Sequence, residues 1–122
     1  MSNIYHITSR QLYEASLPTG IYTPPTFEQD GFIHLSQKHQ VLGVANNFYK
    51  GQTNLVCLVI DPSKLSAEMK YEGPVHPIGK VVQEFSSSDK FPHLYGVMNL
   101  DAVVSVAPMT ANEQNVFVDL PE

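Results

Sequence analysis

Three of the five histidines in this chain are followed two residues later by a hydroxyl side chain: His6 by Thr8, His34 by Ser36 and His93 by Tyr95. Each pair sits in a short, largely apolar stretch: Ile4-Tyr5-His6-Ile7-Thr8, Gly31-Phe32-Ile33-His34-Leu35-Ser36 and Phe91-Pro92-His93-Leu94-Tyr95. On an extended chain, positions i and i+2 share a face and lie roughly 7 Å apart. Ile33 and Leu35 therefore point to a core while His34 and Ser36 point away from it. A polar ring placed among core positions must be solvated or partnered. With a pKa near neutrality, an imidazole there can give or take a proton. The expectation is that the three segments are strands lining one cleft, with His6, His34, His93 and their hydroxyl neighbours as its polar floor. His39, on a helix among polar neighbours, and His76, between prolines, read as structural.

Positioning these residues requires alternating short strands and helices. Thr8 with Gln11 fits a capping box, opening a short helix with Leu12, Ala15 and Ser16 on its inner face and Pro18 as its stop. Gly20, Pro24 and Pro25 make the next connection turned, with Ile21, Tyr22 and Phe27 tucked inward. Val41, Val44, Ala45 and Phe48 recur with helical spacing, which predicts a helix over 37–50 capped by Gly51. Leu55 to Ile60 is a continuous apolar, β-branched run, hence a central strand covered on both faces and ended by Asp61-Pro62. Met69 and Tyr71 alternate with charged neighbours, predicting a half-exposed strand over Glu68 to Glu72. Residues 73–90, with Pro74, Pro77, Gly79 and a serine run, read as a candidate lid loop. Ala102 to Ala107 reads as a last core strand stopped by Pro108, and 110–122 as an acidic tail.

The 122 residues suit one domain with a real core. A formal charge of −5, 7 basic residues and only 16% charged residues argue against a phosphate-tracking nucleic-acid surface. The lone cysteine, Cys57, lies in the apolar run; no intramolecular disulfide is available, which suits a reducing cytoplasm. No apolar stretch reaches membrane-spanning length and no export signal opens the chain. The expectation is a cytoplasmic monomer or small homo-oligomer that binds neither nucleic acid nor membrane.

The three histidine segments, with Leu42-Gly43-Val44-Ala45-Asn46-Asn47-Phe48-Tyr49, Asp61-Pro62 and Asn99-Leu100-Asp101-Ala102-Val103-Val104, resemble a small, mostly bacterial family catalogued as domain of unknown function 952. The resemblance runs from the first strand to Pro108. It implies a fold similar to the ADP-ribosyltransferases: an α+β domain of two small, mostly antiparallel sheets whose cleft, in that superfamily, holds NAD. By the same resemblance, His6, Thr8, His34 and Ser36 would bind the nucleotide, and His34, His93 and Tyr95 would be catalytic. His93 or Tyr95 stands where many of those enzymes place a catalytic glutamate. Neither supplies a negative charge at neutral pH. The branch that moves a phosphate onto NAD relies on several arginines, and this chain has only Arg10.

The expected activity is binding of NAD or a related nucleotide, with transfer or cleavage at its ribosyl bond as an ADP-ribosyltransferase-like transferase or NAD glycohydrolase would perform it. Two alternatives stay open at this point. One is a non-catalytic module sensing a nucleotide or small anion. The other is a hydrolase holding a metal through three histidines, for which no HxH or HExxH spacing speaks.

Overall fold

The computed structural model describes residues 3–72, 90–114 and 116–117. The expected lid, residues 73–90, lies outside them except for Lys90, as do residues 115 and 118–122 of the acidic tail. The architecture is α+β, with every strand pairing among the described residues antiparallel, and β1 (Ile4–Ser9), β4 (Leu55–Ile60) and β8 (Val103–Met109) forming one sheet in the order β1-β4-β8. A second sheet has the order β3-β6-β5, from β3 (Ile33–His34), β6 (Phe91–Tyr95) and β5 (Glu68–Glu72). A two-residue ladder joins β2 (Ile21–Tyr22) to β7 (Met98–Asn99). The helices are α1 (Arg10–Ser16), α2 (Phe27–Asp30) and α3 (Val41–Phe48).

The unbroken run over β4 is buried at every position because core lies on both of its faces. On one side Val56, Leu58 and Ile60 pack with Ile4, Tyr22, Ile33, Leu35, Leu94 and Met98, so this layer lies between the two larger sheets. On the other, Leu55, Cys57 and Val59 pack with Tyr5, Ile7, Val41 and Ala45 of α3, and with Phe117. The two sheets are stitched by one bridge, in which Tyr5 N donates to Ser36 O at 2.8 Å and Ser36 N to Tyr5 O at 2.7 Å.

Several local expectations shift by small, explicable amounts. Ser9, not Thr8, caps α1, accepting from Leu12 N at 3.1 Å, while the Thr8 hydroxyl is buried and lies 2.8 Å from the Tyr22 hydroxyl. On α1 the residues turned inward are Tyr13 and Ser16, while Leu12 is exposed. Ile21 is exposed too, whereas Tyr22 is buried. The helix expected from residue 37 begins as a 3₁₀ turn (Lys38–Gln40) closed by a capping box between Gln37 and Gln40. Pro108 does not stop β8 but pairs with Val56 within it; β8 is an edge strand, where a missing N–H breaks no ladder. Among the described residues no helix is long and apolar enough to cross a membrane.

Candidate functional site

The second sheet shows period-two logic plainly. On β3 and β6, Ile33 and Leu94 face each other in the core, and the next pair across the ladder is His34 with His93. Lys70 of β5 pairs with His93 from the other side, and Glu68 with Tyr95. One face of the sheet therefore gathers His34, His93, Tyr95, Lys70, Glu68 and Glu72, while the other face seals the core.

Each histidine of this pair is held by a carboxylate. His34 Nε2 lies 2.8 Å from Asp30 Oδ2, both side chains being less than a quarter exposed. Asp30 is the last residue of α2, and Gly31, at φ 81°, makes the left-handed turn that brings the chain back into β3. His93 Nδ1 lies 2.9 Å from Glu72 Oε1. The same carboxylate oxygen accepts from the Tyr95 hydroxyl. Phe32 closes over the pair: its ring stacks on His93 at 4.1 Å and 22°, and lies 4.6 Å from His34. The two imidazoles stand edge to face, 5.7 Å apart.

Proton bookkeeping follows from these partners. A carboxylate oxygen only accepts, so the hydrogen sits on His34 Nε2 and on His93 Nδ1. His34 Nδ1 and His93 Nε2 are left as the basic nitrogens of the neutral rings. Burial lowers the pKa of His93, outweighing its hydrogen bond to Glu72, which pulls the other way. The Tyr95 and His93 hydrogen bonds hold the Glu72 carboxyl below its usual range, and Tyr95 is raised in turn by the same contact. At pH 7 the His93 ring is thus neutral and buried, beside an ionised carboxylate whose side chain is 39% exposed.

His6 does not join this floor. It lies between the sheets, where its Nδ1 is 2.7 Å from the His34 carbonyl and its Nε2 is 2.8 Å from the Tyr22 hydroxyl. A carbonyl only accepts, so Nδ1 carries the hydrogen and Nε2 of the neutral ring accepts from Tyr22. Thr8 Oγ1, 2.8 Å from the same Tyr22 oxygen, completes the chain of hydrogen bonds. Burial pushes the His6 pKa down to about 4, against the His34 carbonyl contact that raises it. Both ring nitrogens are spent on positioning β2 and β3, and Thr8 is buried with them. Ser36 is also buried, at the bridge to Tyr5.

Of the residues expected from sequence, His34, His93 and Tyr95 come together; His6 and Thr8 form a separate buried network beneath. His39 is exposed and lines, with Asn3, Gln37, Lys38 and Tyr71, a cavity of about 150 Å³ that shares none of these residues. His76 lies outside the described residues. Sequence reasoning missed Asp30 and Glu72. The four-residue spacing from Asp30 to His34 was a usable signal; nothing local links Glu72 to His93, 21 residues away. Among the described residues no three histidine, cysteine or carboxylate side chains are grouped to hold a metal ion.

Residues 7–106 match the model of a family described as Protein of unknown function (DUF952). The chain belongs to that family. The crystal structure of protein CC0527 from Caulobacter crescentus is similar over nearly the whole length: 29% identity, TM-score 0.79, covering 96% of this chain and 94% of that one. A solution NMR structure of CC0527 superposes with a TM-score of 0.68 at 28% identity, covering 95% and 91% of the two chains. No curated protein matches this chain. The fold described above is therefore shared with experimentally determined structures.

Proposed function

We propose that the face carrying Asp30, His34, Glu72, His93 and Tyr95 binds NAD or a related nucleotide and acts on its ribosyl bond. The resemblance to ADP-ribosyltransferases raised this expectation and left one gap, the missing glutamate. The observation that carries the reading is the Glu72 carboxylate, delivered by the neighbouring strand onto His93 and Tyr95, where the sequence alone offered only an imidazole and a phenol.

In such a reaction the bond from the ribose C1′ to the base nitrogen breaks, and its electron pair leaves with the base. The positive charge that develops at C1′ is stabilised by a fixed carboxylate, the role given to Glu72. An acceptor hydroxyl then bonds to C1′ and loses its proton to a basic imidazole nitrogen, His34 Nδ1, on the more exposed of the two rings. Water as acceptor gives hydrolysis; a second hydroxyl compound gives transfer. The carboxylates behind both rings keep each in one tautomer, as a general base requires. A cytoplasmic setting goes with the free, buried Cys57, whose thiol is pushed up to about 12 by burial.

The test is a histidine-ring proton–nitrogen NMR titration with NAD, coupled to an assay of released base. The His34 and His93 signals should move while that of His39 stays. Glu72→Gln should cut release by about 10²- to 10³-fold, the size of a lost transition-state partner, with binding retained. Binding without release in the native protein would favour a sensing module; no movement of either ring would refute the site.

A further inference from the structure

Tyr95 has neighbours of opposite charge. Its hydroxyl donates to Glu72, and the Lys70 ammonium stands 5.2 Å from the centre of its ring. In the register Glu68 lies directly opposite Tyr95, Lys70 one row along opposite His93 and Glu72 a further row on opposite Phe91, so all three share the Tyr95 face and Lys70 and Glu72 reach the ring along it. Lys70 also contributes to holding the Glu72 carboxyl down, so its charge is felt there. The seat is thus an aromatic ring with an anionic edge and a tethered cation resting on its face.

We propose that the Tyr95 ring, with Glu72 at its edge, is a seat for an organic cation, and that Lys70 is an internal occupant which such a ligand displaces. The inference rests on the reading that this face is the ligand site, and adds the charge of the group seated at Tyr95. An aromatic face attracts cations through its quadrupole. A flat pyridinium-type cation gains both that attraction and stacking. The Lys70 ammonium, strongly hydrated on a flexible stem, is a weak competitor that swings away at little cost. The hydrogen bond to Glu72 fixes the Tyr95 ring, and Phe32, 5.3 Å from it at 44°, forms a second aromatic wall. Neutral His93 adds no competing positive charge. An anionic group brought to this seat would meet Glu72 and Glu68, so phosphates of a nucleotide would have to lie elsewhere on the face.

The experiment titrates native protein and Lys70→Ala with N-methylnicotinamide cation and with neutral nicotinamide, by calorimetry and by the Tyr95 ring signals. The cation should bind at least about three-fold tighter than the neutral ring, and Lys70→Ala should tighten the cation by about two- to five-fold, the scale of an exposed cation–π contact. Nicotinamide affinity should not change. Tyr95→Leu should remove the cation preference, while Tyr95→Phe keeps it. Equal affinities for the two probes, weakening by Lys70→Ala, or no binding of either overturns the proposal. Parallel titrations with NAD⁺ and NADH separate it from the nucleotide reading. N-methylnicotinamide binding without NAD⁺ binding supports the seat and refutes the nucleotide; equal NAD⁺ and NADH affinities refute the seat and support the nucleotide.

Discussion

Acidification should unfold this protein through His6 before its carboxylates matter. The His6 ring is buried and neutral, its pKa lowered from 6.5 to about 4, and its single ring hydrogen is committed to the His34 carbonyl. An unfolded chain begins to protonate this ring near pH 6.5, whereas the folded chain resists until about pH 4. In that window the unfolded state binds more protons, so stability is fully present above pH 6.5 and is lost as pH falls. At about 1.36 kcal/mol per pH unit, the loss from His6 alone is about 2 kcal/mol by about pH 5 and about 3 kcal/mol in full. His93 is lowered by burial as well and adds loss of the same sign. The assay is urea denaturation from pH 7.5 to 4.5, comparing the native protein with His6→Asn, whose amide can still donate to the His34 carbonyl. The variant should be less stable at pH 7.5 but lose about 2 kcal/mol less between pH 7.5 and 5. Identical slopes for the two proteins would refute the buried, neutral ring and the hydrogen-bond chain built on it.

Two further outcomes test the packing that carries the site. Tyr22→Phe leaves His6 Nε2 and Thr8 Oγ1 without their shared partner and should cost about 1–3 kcal/mol in denaturation. A methyl at Gly96 would come 2.6 Å from the Ala67 Cβ, so Gly96→Ala should destabilise by about 1–3 kcal/mol. Adding Ala67→Gly should recover most of that loss; a double variant no better than Gly96→Ala would show that the cost lies in the backbone instead.

Much of this fold was legible because one physical signal dominated each element. The assignment of β4 left no ambiguity, since an unbroken apolar run from Leu55 to Ile60 has no solvent face. β6 and β3 were legible from strict alternation, which put His34 and His93 on one side and Ile33 and Leu94 on the other. The same alternation misled at His6, because β1 belongs to a sheet covered on both faces. Period two distinguishes two sides there without saying that either is wet. What the pattern could not supply was pairing between distant strands. Glu72 and His93 meet only because β5 and β6 register as they do, and residues that read as a half-exposed strand prove to hold the carboxylate of the site. Pro108, an apparent strand breaker, is harmless for a reason equally non-local: β8 is at an edge.

The ladder that places His34 opposite His93 also ties the fate of the site to that of the core. An inserted or deleted residue that slipped β6 by one would turn Leu94 onto the charged face and His93 into the apolar layer against Leu58 and Met98. Point substitutions on the outer face can therefore drift one at a time with the scaffold intact, whereas length changes within β6 lose the site and the fold together. Variation in length has freedom only outside the paired strands, and variation in chemistry only on the side of β3, β5 and β6 that the core does not use.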